Sequence, residues 1–324
     1  MTDRSRRARL GLREVFGWTP CRRVLADLLY AARGRRTNPP TRFGPSSLSI
    51  LKPRLSLATW LRRRRADRRV PVYNLFNRVA APKEAGYSVR VTFARDFRGG
   101  RYTYDSHLGT DFAVPIGTPV VAAAPGVVLR IANDYDRGGL KVCIDHGAGL
   151  LTTSNHLARA LVAVGDQVGR GEVVGLSGAS GIEFLLMFPW LAPHLHFNTW
   201  LNGEPTDPYG LPDGGDVALW LGGNDPTPHA GAAGDRAGFE ATAWDAAAVD
   251  AAIAACGDPR YRARMERIDD LPRRAAEVIV QRNYRSIAFA EFPPLYARRF
   301  ARQPVLDLPF SGDDFIGAAL PEPD

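Results

Sequence analysis

The texture of residues 87–211 constrains the fold more than any other feature of this chain. Short β-branched runs recur there: Val120-Val121, Val127-Val128-Leu129, Val142-Cys143-Ile144 and Val173-Val174. Turn-forming clusters separate them, among them Gly117-Thr118-Pro119, Ala124-Pro125-Gly126, Gly138-Gly139 and Gly147-Ala148-Gly149. Many short strands bounded by glycine and proline describe an all-β unit, and no helical period is expected to interrupt it.

The flanks read differently. Residues 1–70 carry 19 Lys+Arg against 4 Asp+Glu, whereas the remaining residues carry 23 against 30. The net charge of +8 therefore belongs to the first segment. Leu10, Val15, Phe16, Val24, Leu25, Leu28 and Leu29 recur at helical spacing among its arginines, and a second short helix is expected from Thr59 into Arg62-Arg63-Arg64-Arg65. Residues 212–238 hold 7 Gly and 3 Pro and read as a linker. Beyond it, Trp244 to Cys256 and Asp270 to Tyr284 read as helices, with Pro272 tolerated in a first turn, and the last twenty residues read as irregular. The expected division is a basic N-terminal extension (1–86), a β domain (87–211), a linker (212–238) and a helical C-terminal extension (239–324).

Several classes drop out. The longest apolar run, Phe184 to Ala192, spans nine residues and contains Pro189; a membrane-spanning helix needs about 20. Cys21, Cys143 and Cys256 are odd in number and far apart, so neither a disulfide framework nor a CxxC zinc site can be built. No apolar stretch of a secretory leader is visible at the N-terminus. No nucleic-acid fold signature accompanies the basic segment, so no specific nucleic-acid partner is indicated.

Five of the six histidines fall within 90 residues of the β region. His107 and Asp111 lie four apart. An extended strand would separate them by about 13 Å. One metal can hold both only if the chain bends, and Gly109 is where bending is easiest. His194 and His196 lie two apart and share one strand face, about 6.6 Å apart along the chain. Each motif alone has a bland reading, a turn histidine or two surface histidines. Together, His107, Asp111 and His196 make a three-ligand catalytic zinc complement. His156 and His194 remain for proton transfer at neutral pH.

These residues resemble those of the lysostaphin-type (LytM-like) zinc metallopeptidases, which are cell-wall endopeptidases. The resemblance runs through His107-Leu108-Gly109-Thr110-Asp111, Gly117-Thr118-Pro119-Val120-Val121, Ile144-Asp145-His146-Gly147, His156-Leu157 and Val164-Gly165-Asp166. It continues through Gly175-Leu176-Ser177-Gly178, His194-Leu195-His196-Phe197 and Gly203-Glu204-Pro205. It implies a mainly β fold: a small antiparallel β-sheet metallopeptidase core, duplicated-hybrid-like, here with a partly helical basic N-terminal extension and a helical C-terminal one. It implies one Zn2+ per chain on His107, Asp111 and His196, catalysis by His156 and His194, and hydrolysis of peptide bonds in peptidoglycan stems or cross-bridges. The family acts on the wall outside the cytoplasm.

Two departures stand out. Ser154 occupies a position where the family commonly has tyrosine, so a groove wall or donor is expected to be missing. Twelve residues, Ile182 to Pro193, fill a gap that is usually about a third as long. This apolar insertion is expected to pack on the segment after Phe239; groove lining or contact with a membrane or partner are the alternatives. Three rival readings are a non-hydrolytic LytM-like regulatory or binding domain, a carrier domain, and a basic DNA- or membrane-binding protein. The first loses ligands that this chain keeps, and the second needs a lysine after Lys141 that is absent. Bound zinc and peptidoglycan turnover separate the third. Residues 1–70 are expected to contact an anionic surface.

Overall fold

The computed structural model describes residues 9–82, 84, 86–231, 242–296 and 298–322. Its centre is one twisted sheet. The strands are β1 (Arg69–Asn74), β2 (Thr110–Ala113), β3 (Pro119–Val121), β4 (Gly126–Asp134), β5 (Gly139–Asp145), β6 (Leu150–Ala160), β7 (Gln167–Val168), β8 (Val173–Ser177), β9 (His194–Leu201), β10 (Glu204–Pro205) and β11 (Gly317–Ala319). They run in the order β11-β1-β2-β9-β6-β5-β4-β7, with β10 on β9, and β8 joining β3 to β6. All pairings are antiparallel except β1 with β11. The mainly β core with helical flanks is thus as the sequence implies.

Period-2 alternation gives this sheet two buried faces. Phe112, Val128, Val142, Ile144, Leu195 and Phe197 pack with Trp220, Leu306, Leu308 and Phe310 in one core. Leu129, Cys143, Leu151 and Trp200 point the other way, into a second core built with helices α5 (Ala246–Ala254), α6 (Pro259–Glu266) and α7 (Leu271–Tyr284). Asp245, Asp258 and Asp270 cap these helices through their side chains, and Pro259 and Pro272 sit in first turns where no N–H is needed. The two helices read after residue 239 are present; residues 232–241 of the expected linker and extension lie outside the described residues.

Three expectations need correction. Helix α4 (Ile182–Met187) interrupts the β region, starting after Gly181 with Glu183 in its first turn, a favourable site for an acidic group at a helix N-terminus. The C-terminal stretch read as irregular supplies β11, which pairs with β1. The second basic helix is α3 (Pro53–Trp60); the chain has left the helix before Arg62–Arg65. The first basic region forms α1 (Leu12–Val15) and α2 (Cys21–Arg33).

Tertiary pairing also reaches past the expected domain limits. Strand β1, inside the N-terminal extension, lies between β2 and β11. Trp220, inside the expected linker, is fully buried and bridges Leu306. A glycine-rich composition predicts a loop, but it does not exclude a loop anchored by a large aromatic side chain. Among the described residues no helix is long and apolar enough to cross a membrane.

Candidate metal centre and catalytic pocket

Strand pairing assembles the site. In β2 and β9, Asp111 pairs with His196, and Phe112 with Leu195. Partners across an antiparallel pair share a face, so Asp111 and His196 meet on the side opposite the Phe112–Leu195 core. The same register places Asn155 opposite His196 and Thr153 opposite Asn198. His107 precedes β2, and the chain bends at Gly109 as expected. That glycine has a further duty: a Cβ there would stand 2.8 Å from His196 and Asn198.

The three expected ligands converge. Donor atoms of His107, Asp111 and His196 all lie within 4.8 Å of one another, and all three side chains are buried. Nε2 of His107 lies 3.1 Å from Asp111 Oδ2 and 3.2 Å from His196 Nδ1. His196 Nδ1 lies 2.7 Å from Asp111 Oδ1. Two imidazoles and a carboxylate suit zinc by their chemistry. Their supports also fit. His107 Nδ1 donates to Leu75 O at 2.7 Å, which leaves the lone pair on Nε2, the atom that faces the other donors. Asn74 Nδ2 donates to Asp111 Oδ2 at 2.8 Å. Burial pushes the Asp111 carboxyl up, but the imidazoles of His107, His194 and His196 outweigh it and hold the carboxyl well below its ordinary range. Burial lowers His196 to about 4.

His156 and His194 stand beside this cluster with ring centroids 4.5 Å apart. His194 Nδ1 donates to Ala192 O and His156 Nδ1 to Ser180 O, both at 2.8 Å. Burial lowers both imidazoles. His194 Nε2 lies 3.7 Å from Asp111 Oδ1. His156 is where the strand leaves its register. Leu140 pairs with Leu157 and Val142 with Ser154, so one strand carries an extra residue. His156 takes that residue's place with φ of 61°. A regular strand would turn it away from Asn155; the bulge turns it back to the site, at a cost in backbone strain.

The cluster opens on a cavity of about 460 Å3. Its walls come from every part of the chain: Leu28 and Ile50 from the N-terminal segment, Tyr87 and Tyr104, Ile182, Glu183 and Met187 of α4, and Tyr284 of α7. Burial raises Glu183 to about 7, and its Oε1 lies 3.4 Å from His156 Nδ1.

The insertion is therefore a wall of the pocket, and its favoured packing on the segment after Phe239 is overturned. Phe184 is fully buried with Val15, Ala179 and Leu191, against Phe16 and Trp60 of the N-terminal segment. Trp60 Nε1 donates to Leu191 O at 3.1 Å and Ser56 Oγ to Pro189 O at 2.6 Å. Phe188 and Trp190 remain 55% and 56% exposed. The concern over Ser154 also dissolves. Ser154 pairs with Phe197 and lies on the opposite face from the site. Sequence reasoning missed Asn74, Leu75 and Tyr73, whose ring meets His194 edge-on at 5.5 Å. It also missed Asn198, whose Nδ2 lies 3.0 Å from His196 Nε2. Only Asn198, two residues after His196 on the same strand face, carried a local signal. His146, also within the motif region, contacts Pro125 O and Thr152 Oγ1 away from the cluster.

Residues 105–208 match the family described as Peptidase family M23. Over 101 residues the chain is 41% identical to peptidoglycan DD-endopeptidase ShyA of Vibrio cholerae, a match covering 31% of this chain and 22% of that protein. Over 140 residues it is 36% identical to the DD-carboxypeptidase/endopeptidase Mpg of Neisseria meningitidis, covering 43% of this chain and 27% of that protein. The catalytic domain of the antimicrobial peptidase lysostaphin from Staphylococcus simulans is 33% identical, with 32% of this chain and 75% of that domain covered and a TM-score of 0.28. The chain thus spans about a quarter of the length of these curated relatives.

Proposed function

Because this chain belongs to peptidase family M23 through residues 105–208, we propose that it is a zinc metalloendopeptidase that hydrolyses peptide bonds in peptidoglycan stems or cross-bridges. The observation that carries this reading is the convergence of His107, Asp111 and His196 with two further histidines at one pocket. His107, Asp111 and His196 hold the metal. A zinc ion there supplies Lewis-acid polarisation of the scissile carbonyl and lowers the pKa of a water molecule.

The protein's own groups move the protons. With Nδ1 donating to Ala192 O, neutral His194 keeps its lone pair on Nε2. That atom takes the proton of the attacking water and returns it to the leaving amine. The nearby Asp111 carboxylate favours the imidazolium that forms between these steps. His156, fixed by Ser180 O, presents its own Nε2 beside His194 and orients the water and the peptide for attack. Incubation of the zinc-loaded chain with purified peptidoglycan, followed by mass analysis of the products, tests the proposal. Products cut in the peptides, with glycan strands intact, support it; glycan cleavage or no cleavage overturns it.

We also propose that residues 1–70 contact an anionic surface. Arg62, Arg63, Arg64 and Arg65 are exposed directly after exposed Leu57 and Leu61, with Arg64 and Arg65 paired to Asp314 and Asp67 and Arg62 and Arg63 in no ion pair among the described residues. Such a pairing of cationic and apolar groups favours anionic interfaces. Salt-sensitive sedimentation with anionic vesicles supports this; equal recovery with neutral vesicles overturns it.

A further inference from the structure

The turn between β4 and β5 carries Arg137, and its state is unusual. The residue is only 9% exposed. Its guanidinium lies 4.7 Å from the Tyr87 ring centroid. Nη1 donates to the carbonyl of the preceding Asp136 at 2.9 Å, and buried Nε has no hydrogen-bond partner. No carboxylate pairs with it among the described residues. Its buried neighbours are served differently: Arg130 meets Asp134 and Glu277, and Arg285 meets Asp136 at 2.6 Å. Of the acidic residues that line the same pocket, Asp111 belongs to the metal cluster, Asp136 pairs with Arg285, and Glu183, which lies beside His156, feels the charge of Arg137 without forming an ion pair with it. An enclosed guanidinium with no carboxylate hydrogen-bonded to it and a buried Nε unpartnered is costly, and its fork of donors matches a carboxylate.

Its position gives that anion a source. Arg137 lines the catalytic pocket and also a neighbouring cavity of about 410 Å3, with Tyr87 and Tyr284 as the other shared walls. The next residue, Gly138, accepts a hydrogen bond of 3.0 Å from the His156 backbone N–H. A group bound at Arg137 is thus indexed to the catalytic pair. We propose that Arg137 binds a free carboxylate of the peptide substrate, so that the site selects peptides with a free carboxylate near the bond presented to His156 and His194. This rests on the peptidase reading of the adjoining pocket.

The test measures binding separately from turnover. Two N-acetylated dipeptides, identical except for a C-terminal carboxylate or primary amide, are titrated calorimetrically into the full chain, zinc-loaded and metal-free. The wild type is expected to bind the acid about 10- to 100-fold more tightly than the amide in both states, as for hydrogen bonds to a charged group. Arg137→Gln is expected to erase that preference while leaving the amide's affinity and the zinc content unchanged. Arg137→Lys, which keeps the charge but loses the fork, should retain part of it and decides the matter should the glutamine variant not fold. Equal or absent binding of the two peptides by wild type overturns the proposal. So does an acid preference that survives Arg137→Gln, which assigns the carboxylate to the metal or elsewhere. An Arg137-dependent preference in a protein that cleaves no peptidoglycan would overturn the peptidase reading alone.

Discussion

Tyr284 donates a hydrogen bond of 2.9 Å to Asn198 Oδ1, tying the longest C-terminal helix to the strand that carries His194 and His196. Asn155 Nδ2 donates to both, at 2.7 Å to Asn198 Oδ1 and 2.8 Å to Tyr284 Oη. The C-terminal segment therefore braces the metal centre from behind. Removing a group that supports a ligand typically costs about 10- to 100-fold in metal affinity or activity. Asn198→Ala, which strips the contact to His196, is expected to lose zinc affinity in that range. Tyr284→Phe, one bond further out, should lose less. Competition with a zinc chelator measures both, and unchanged affinity in Asn198→Ala would remove Asn198 from the metal's support.

The same helix is riveted to the sheet by charge. Arg130 of β4 pairs with Glu277 of α7 and with Asp134 at 2.6 Å, and Arg264 of α6 reaches Glu277 at 2.9 Å. All but Arg264 are buried. Removing one partner of a buried pair leaves an uncompensated charge, at about 3–5 kcal/mol. Glu277→Ala is expected to lose that much in urea unfolding. Glu204→Ala, which breaks an exposed pair with Arg282, should change stability by less than about 1 kcal/mol.

The apolar insertion should show the same division by burial. Phe184 fills a core shared with Val15 and Leu191, so Phe184→Ala should destabilise by about 3–5 kcal/mol. Trp190 is 56% exposed, and Trp190→Ala should leave the unfolding midpoint nearly unchanged. Equal losses in the two variants would contradict the packing of α4 on the N-terminal segment.

His146 sets an acid limit. Burial lowers its pKa to about 4 from an ordinary 6.5, so the unfolded chain binds more protons between these values. Its contribution to stability is complete above pH 6.5 and is lost as pH falls towards 4. His156, His194 and His196 are shifted in the same direction, so the comparison isolates His146: the melting temperature of His146→Gln should fall less steeply from pH 6.5 to 4 than that of wild type. Parallel curves would show that His146 carries none of the acid sensitivity.

The parts of the site legible in the sequence are those set by local spacing. HxxxD around a bend and HxH on one strand face need no tertiary information, so His107, Asp111, His194 and His196 stood out at once. His156 had no local spacing motif of its own and entered through the set of histidines and the family's pattern, because a bulge, rather than strand alternation, turns it to the site. Asn74 and Leu75 gave no signal; they reach Asp111 and His107 through a pairing of β1 with β2 across more than thirty residues. The same kind of long-range pairing placed Trp220 in a core despite its glycine-rich surroundings. The destination of Phe184 was misread because amphipathic helices flank both ends of the chain, and its own apolar character does not choose between them.

Zinc content measured beside peptidoglycan cleavage, in one set of variants, tests the central claim most directly. Wild type is expected to hold one zinc per chain and to cleave peptide bonds. His107→Ala should lose both metal and cleavage. His156→Ala and His194→Ala should keep the metal and lose about 10²–10⁴ in rate, the usual cost of removing a general acid–base group. Stoichiometric zinc and undiminished cleavage in His107→Ala would contradict the account.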